Sequence, residues 1–152
     1  YLFDNVRLKG GAYTAGAYIG KDLSMILYSD SDPNVKKTLD IYFDSAKYIK
    51  NIKINQNELN NYIIKNSYEI INQFNFGNKF MEANEAIDLK INNKNIEFYQ
   101  NILKELFNTK VEDINKFGDT LEEALEDSVY SVQGDEVTIL NNKQLFDDIK
   151  KI

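Results

Sequence analysis

Apolar side chains recur along this chain at spacings that change from helical to extended and back. At the start, Leu2 and Val6, with Phe3 as a further candidate, share one face of a helix that covers residues 1–9. Gly10 and Gly11 follow it, and glycine most readily adopts the left-handed conformation that ends a helix. The pattern therefore predicts the last turns of a helix that stops at the double glycine.

Two short extended segments come next, at residues 12–18 and 23–29. The first alternates small and aromatic residues, and the second is mostly apolar, which is typical of strands with at least one covered face. Gly20-Lys21-Asp22 separates the two segments with turn-forming residues. The two segments therefore predict an antiparallel β-hairpin.

Helical spacing dominates the chain after the hairpin. Ser31-Asp32-Pro33-Asn34 combines turn residues with a helix start, and Asn55 followed by Glu58 has the form of a capping box. Gly77 interrupts the helical pattern. The spacing predicts five helices in this region, at residues 35–49, 55–74, 79–90, 95–108 and 109–125.

The C-terminal part of the pattern changes once more. Residues 128–132 alternate with a valine and tyrosine face and predict a strand, after which Gly134-Asp135 turns the chain. A closing helix is expected from Asn141 or Asn142, and its inward side chains would be Leu145, Phe146 and Ile149. Strands and helices in this order predict an α+β fold, in which a small, mostly antiparallel sheet of three or four strands is covered by a layer of helices.

Length and composition indicate one domain. The chain has 152 residues, of which 43% are hydrophobic and 28% charged, as in an ordinary globular domain that can bury a core. Because no internal repeat or linker divides it, we expect residues 1–152 to form a single domain. We also expect the natural chain to begin upstream of Tyr1, since the sequence starts within a helical pattern.

Charge and residue usage exclude several classes of function. The net charge of −6 argues against nucleic-acid binding, which depends on a basic surface, and the sequence contains neither a membrane span nor a signal peptide. The absence of cysteine fits a reducing compartment, either the cytoplasm or an organelle matrix. Since histidine is also absent, this chain cannot build a catalytic zinc site or a Ser-His triad by itself.

Arg7 and Tyr13 are the candidate functional residues, on either side of the double glycine. A chain reversal there would bring the guanidinium near the first side chain of the strand. Ala15 and Ala17 share the face of Tyr13, and their small side chains leave room for an extended peptide that adds to the sheet edge. The arginine could then donate to a carbonyl or carboxylate, and the phenol could donate to a carbonyl that becomes an oxyanion.

Each of these features also has an ordinary structural cause, because an arginine at a helix end, a Gly-Gly cap and a tyrosine in a strand are all common. Two other groups of acidic residues are candidates for chemistry. Asp30 and Asp32 could bind calcium but do not continue into an EF-hand loop, so a solvated turn is the simpler interpretation. The carboxylates of a later helix are interpreted as its solvated face, at Glu122, Glu123 and Glu126.

The first 45 residues resemble the last domain of pitrilysin-type zinc metallopeptidases, in the branch of the presequence protease and falcilysin. The resemblance lies in two motifs, "VRLKGGAY" at residues 6–13 and "SDPNVKKTLDIY" at residues 31–42. Its key positions are Val6, Arg7, Gly10, Gly11, Ala12 and Tyr13, then Ser31, Asp32 and Pro33, then Thr38, Leu39 and Tyr42. After residue 45, only the pattern of helices matches.

The resemblance implies a LuxS/MPP-like metallopeptidase domain whose first strands lie upstream of Tyr1. It implies a four-domain enzyme that encloses unfolded peptides between two halves and carries its zinc ligands, His-x-x-Glu-His, in the N-terminal catalytic half. No metal ligand is expected in this chain, which alone should be inactive. Arg7 would position the substrate, Tyr13 would stabilise the carbonyl oxygen, and Gly10, Gly11 and Ala12 would contact the substrate.

Two departures from the family pattern weaken part of this carry-over. Thr14 stands where the family has glycine after the tyrosine, and Ser29-Asp30-Ser31-Asp32-Pro33 lacks the arginine of the family's turn. The alternative is a non-catalytic scaffold or partner subunit of the same fold family. An upstream His-x-x-Glu-His motif in the same gene would distinguish the two.

Overall fold

The computed structural model describes residues 1–20, 23–72 and 79–151. Within them, the chain folds into helices and one small antiparallel sheet, which confirms the predicted α+β class. Its contacts divide the chain into two compact units, residues 1–51 with 116–152, and residues 52–115. None of the described helices is long and apolar enough to cross a bilayer.

The first unit opens with a π-helical segment, Phe3–Leu8. Its wider turn is seen where the amide of Lys9 donates to the carbonyl of Asp4, five residues back, at 2.9 Å. Val6 is completely buried and Leu2 is partly covered, whereas Phe3 is 48% exposed and does not belong to the apolar face. The segment therefore ends at the double glycine as predicted and fixes its position through one apolar anchor.

The predicted hairpin forms, with strands β1 (Thr14–Ile19) and β2 (Met25–Asp30). They pair antiparallel in a register that sets Thr14 opposite Asp30 and Ile19 opposite Met25. The amide of Gly20 closes the turn end by donating to the carbonyl of Ser24 at 2.8 Å. Residues Lys21 and Asp22 of the predicted turn lie outside the described residues.

The predicted helix at 35–49 is divided into α1 (Lys36–Phe43) and α2 (Ser45–Lys50). At the junction, the Ser45 hydroxyl donates to the carbonyl of Tyr42 at 2.6 Å, a local bond that competes with continuous helical pairing. Leu39 of α1 and Ala46 of α2 are buried in the core of this unit, together with Val6 and with Val35, which directly precedes α1.

The second unit contains α3 (Gln56–Asn72), α4 (Lys79–Ile91) and α5 (Ile96–Asn108), close to the predicted bounds. The capping box is confirmed, because Asn55 Oδ1 accepts from the amide of Glu58 at 3.1 Å while Glu58 Oε2 accepts from the amide of Asn55 at 2.8 Å. The proposed helix break at Gly77 and the predicted continuation from residue 73 to 74 lie outside the described residues.

Helix α6 (Val111–Glu126) begins slightly later than predicted. The proposed start paired Thr109 with Glu112, but the observed cap is a bond from the amide of Lys110 to Asp113 Oδ2 at 2.9 Å. A carboxylate two or three residues from a helix start can satisfy a free amide from several positions, so spacing alone did not distinguish them.

The C-terminal segment differs most from the prediction. Residues 128–132 form no strand within the described part of the chain. On the predicted valine and tyrosine face, Tyr130 is 43% exposed and Val132 is partly buried. Alternation identifies side chains that could share a face, but a strand also requires a neighbouring backbone. Because β1 and β2 pair only with each other in the described residues, the sheet has two strands there rather than three or four.

The closing helix was also predicted too late in the sequence. A helix, α7 (Glu136–Asn141), instead follows the turn directly, because Asp135 Oδ1 caps it by accepting from the amide of Thr138 at 3.0 Å. A short 3₁₀ turn, Lys143–Leu145, comes next, and residues 146–151 are not helical. Of the expected inward residues, Leu145 and Phe146 are partly buried, whereas Ile149 is 42% exposed.

Candidate functional site

The double glycine forms a tight reversal that only glycine can occupy. The amide of Gly11 donates to the carbonyl of Arg7 at 2.8 Å, and the amide of Ala12 donates to the carbonyl of Val6 at 3.2 Å. Gly11 has a φ of +89°, a conformation that L side chains rarely adopt. A Cβ atom on Gly10 would collide with the carbonyl oxygen of Val6. The two glycines therefore have separate reasons for lacking a side chain.

Arg7 lies in the last turn of the opening helix with its side chain exposed. Its guanidinium carbon is 5.2 Å from the centroid of the Phe3 ring, which is within the range of a cation–π contact. This contact places the positive charge over the face of the ring, while the side chain of Arg7 remains exposed. The position at a helix C-terminus also suits a positive charge.

Tyr13 stands where the chain enters β1. Its amide donates to the carbonyl of Asp30 at 3.0 Å, and its side chain is 72% exposed. The preceding residue, Ala12, is buried. A buried residue is therefore followed directly by a tyrosine whose phenol faces solvent. The structure thus places Arg7 and Tyr13 at the two ends of one short reversal, both with exposed side chains.

The hairpin surface beside Tyr13 is lined by small residues. Ala15 pairs with Ser29, and Ala17 pairs with Leu27. Gly16 pairs with Tyr28 on the other face of the hairpin. A Cβ atom added to Gly16 would lie 2.8 Å from the Tyr28 hydroxyl oxygen, so the aromatic ring covers the glycine. The bulky aromatic contact of the hairpin is therefore on the face opposite to Ala15 and Ala17.

The turn between β2 and α1 contacts the double glycine, which the sequence had not indicated. Asn34 donates from its side-chain amide to the carbonyl of Gly10 at 2.7 Å. Asp32 accepts from the amide of Asn34 at 2.9 Å and from the hydroxyl of Thr38 at 2.7 Å. The Asp-Pro-Asn spacing could have suggested the local turn, but no sequence signal connects it to Gly10, since 24 residues separate Asn34 from Gly10.

Tyr42 adds a buried phenol to the same region. Its hydroxyl oxygen is inaccessible and has no hydrogen-bond partner. Burial raises the pKa of Tyr42 above its ordinary value, the charge of Asp32 raises it further, and the nearby Ser29 hydroxyl acts in the opposite direction without reaching hydrogen-bond geometry. Tyr42 therefore lies behind the turn as a neutral residue and is not exposed like Tyr13.

The candidate acidic groups form no metal site in the described part of the chain. Within the described residues, no cluster of three or more His, Cys, Asp or Glu residues could hold a metal ion. Asp32 uses its two oxygens on Asn34 and Thr38, as described above. Glu122 pairs with Lys50 at 2.5 Å, and Glu123 and Glu126 are exposed on α6.

A groove lies near the C-terminus of the chain, in the unit formed by residues 1–51 and 116–152. This groove is lined by residues 130–134, by one side of α7, and by Phe146 and residues 148–151. None of the predicted site residues lines it, since these lie between residues 7 and 13. The chemistry proposed for Arg7 and Tyr13 therefore does not involve this groove.

The family of the chain follows from comparison with known proteins. A family profile described as the PreP C-terminal domain matches residues 1–135. The chain therefore belongs to this family, the C-terminal domain of pitrilysin-type presequence protease. The resemblance noted over the first 45 residues is confirmed and extends through α6 to residue 135.

The chain is also similar to part of a longer curated protein. The chain is 30% identical over 152 residues to "Protein HypA" of Clostridium perfringens (strain 13 / Type A). The alignment covers the whole of this chain but only 15% of the length of that relative.

Proposed function

We propose that this chain is the substrate-contacting C-terminal domain of a zinc-dependent metalloendopeptidase that degrades unfolded peptides inside a closed chamber. Membership of the PreP C-terminal domain family supports a peptidase domain. The main support for substrate contact is the side chain of Tyr13, which is 72% exposed. It directly follows a chain reversal that is held by backbone hydrogen bonds. A rigid backbone with an exposed polar tip is the arrangement that a substrate-contacting group requires.

In this proposal, Arg7 and Tyr13 have different roles. The guanidinium of Arg7 offers several N–H donors in one plane, which suits the positioning of a peptide carbonyl or terminal carboxylate. The hydroxyl of Tyr13 donates one hydrogen bond to the carbonyl oxygen on which negative charge develops during hydrolysis. Gly10, Gly11 and Ala12 would let the peptide backbone approach closely, because two of them lack side chains and the third is buried.

Zinc, when bound, would supply the Lewis-acid chemistry of peptide hydrolysis. This chain does not offer suitable ligands, since it has neither histidine nor cysteine and its described residues contain no carboxylate cluster of sufficient size. The partner of this domain is therefore proposed to be the N-terminal catalytic half of the same polypeptide. Unfolded peptide is the proposed substrate.

The test uses the full-length protein and an unfolded fluorogenic peptide. We expect chelation to abolish cleavage and added zinc to restore it. Tyr13→Phe and Arg7→Ala should lower the rate, whereas Tyr18→Phe, at an exposed tyrosine of β1, should not. Wild-type rates for the Tyr13 and Arg7 variants would overturn the proposed roles. A wild-type protein without any peptidase activity would favour the scaffold alternative.

A further inference from the structure

In the turn after β2, the side chain of Asn34 is hydrogen-bonded to the backbone of the candidate site. Its amide nitrogen donates to the carbonyl oxygen of Gly10 at 2.7 Å and lies 3.4 Å from Asp32 Oδ1. Both neighbours are acceptors, so the amide must present its NH₂ group on this side. The carbonyl that it binds belongs to the reversal between Arg7 and Tyr13.

Asn34 is itself held in place by α1. Asp32 accepts from the Asn34 backbone amide at 2.9 Å through one oxygen and from the Thr38 hydroxyl at 2.7 Å through the other. Thr38 is only 4% exposed, so the carboxylate connects the turn to a buried residue of the helix. The backbone of Asn34 is thus held by Asp32, while the side-chain amide of Asn34 binds Gly10.

The same segment also binds the other side of the reversal. The carbonyl of Asp30 accepts from the amide of Tyr13 at 3.0 Å, and the Cγ of Pro33 would lie 3.5 Å from a Cβ atom on Gly11. Residues 30–34 therefore hold the chain at both Gly10 and Tyr13. This matters because two adjacent glycines have more conformational freedom than any other pair of residues.

We propose that Asn34 is a positioning residue for Tyr13. It does not contact the substrate, and its action rests on the proposed function, because it fixes the peptide unit that directs Tyr13 toward the substrate carbonyl. Without the bond to Gly10, the reversal would sample other conformations and the phenol would be misplaced. Small misplacements of a catalytic group, of about 1 Å, can cost about a hundredfold in rate.

The test is a double-mutant cycle between Asn34 and Tyr13 in the full-length enzyme. Asn34→Ala removes the bond, and Asn34→Asp keeps the size of the side chain but replaces its donor with an acceptor. We expect each to lower kcat by about tenfold or more when Tyr13 is present. In the Tyr13→Phe background, each should lower kcat less than about twofold, because the group that Asn34 positions is already gone.

Asn66→Ala provides the matched control. Asn66 also donates from its side-chain amide to a backbone carbonyl, that of Tyr62 at 2.8 Å, but it lies in α3. Its loss should leave kcat unchanged. Circular dichroism of each variant would establish its folded fraction, and rates would be expressed per folded molecule.

The possible outcomes separate this inference from the function on which it rests. Asn34 variants with wild-type kcat, together with an impaired Tyr13→Phe, would overturn the positioning role and leave the proposed function intact. Penalties that multiply fully in the double mutant would also overturn it, because they would indicate a general structural effect. A fully active Tyr13→Phe would overturn the proposed role of Tyr13 and with it the positioning role of Asn34, but not the peptidase function itself.

Discussion

The backbone amide of Tyr13 donates to the carbonyl of Asp30 at 3.0 Å while the Tyr13 side chain is 72% exposed. One residue is therefore fixed by the sheet and open to solvent at the same time. A hydroxyl on such a residue can act on a bound molecule without contributing much to folding. The first prediction concerns that hydroxyl.

Tyr13→Phe in the full-length enzyme should lower kcat by roughly a hundredfold, which corresponds to about 3 kcal/mol for the loss of one oxyanion donor. KM should change less, because the hydrogen bond strengthens as charge develops in the transition state. Steady-state kinetics on a short fluorogenic peptide would measure both constants. A kcat within about twofold of wild type would show that Tyr13 has a structural role only.

Arg7→Lys should raise KM as well as lower kcat. An ammonium group cannot reproduce the planar donors of a guanidinium. It also lacks the planar group whose central carbon lies 5.2 Å from the centroid of the Phe3 ring. Phe3→Leu is the companion variant, since it removes the stacking and keeps the charge. If Arg7→Lys leaves KM unchanged, the guanidinium does not position the substrate.

The 152-residue chain alone should neither cleave peptides nor bind zinc tightly. It lacks histidine and cysteine, which provide most zinc ligands in proteins. Calorimetric titration with zinc and a peptide-cleavage assay on the purified chain would test this. Zinc-dependent cleavage by this chain would contradict the proposed division of roles between the two halves of the enzyme.

Gly118→Ala should destabilise the chain, although helix propensity alone predicts a gain of about 1 kcal/mol from replacing glycine in a helix. A Cβ atom at Gly118 would lie 2.6 Å from Cγ and 2.7 Å from the backbone nitrogen of Lys50. Overpacking of this kind costs about 1–3 kcal/mol, since the backbone of α2 cannot easily move away.

Urea unfolding of the 152-residue chain would give the sign of this change. Thr120→Ala, at an exposed position of α6, is the control and should change the free energy of unfolding by less than about 0.5 kcal/mol. A more stable Gly118→Ala variant would show that α6 does not approach α2 this closely.

Tyr42→Phe should preserve the stability of the chain or raise it by about 1 kcal/mol, because the buried hydroxyl that it removes has no hydrogen-bond partner. Exposed Tyr62 supplies the control Tyr62→Phe, for which no change is expected. Thermal unfolding would compare the two variants. A clearly destabilised Tyr42→Phe would mean that the hydroxyl is hydrogen-bonded, with Ser29 as the candidate partner.

Tyr42 also makes the stability of the folded chain depend on pH. Burial raises the pKa of folded Tyr42 above the ordinary value of 10.0, so the unfolded chain loses this proton first as the pH rises. The contribution of Tyr42 to stability is therefore complete below pH 10 and is lost as the pH rises through the folded pKa. Tyr42→Phe should lose less stability than wild type in that alkaline range.

Local patterns in the sequence determined the parts of the fold that depend on neighbouring residues. The capping box of Asn55 and Glu58, the hairpin and the positive φ at Gly11 all follow from residues within a few positions of one another. Arg7 and Tyr13 could be singled out for the same reason, because their motif is short and continuous. Their exposure agrees with that choice, although their catalytic roles remain predictions.

The tertiary structure decided the features that depend on distant partners. Residues 128–132 carry a strand pattern but form no strand in the described chain, since a ladder needs a second backbone beside it. Gly118 and Asn34 are ordinary residues in the sequence, yet one lies against Lys50 and the other binds Gly10. Spacing along a chain specifies which side chains share a face, whereas packing in three dimensions specifies what those faces meet.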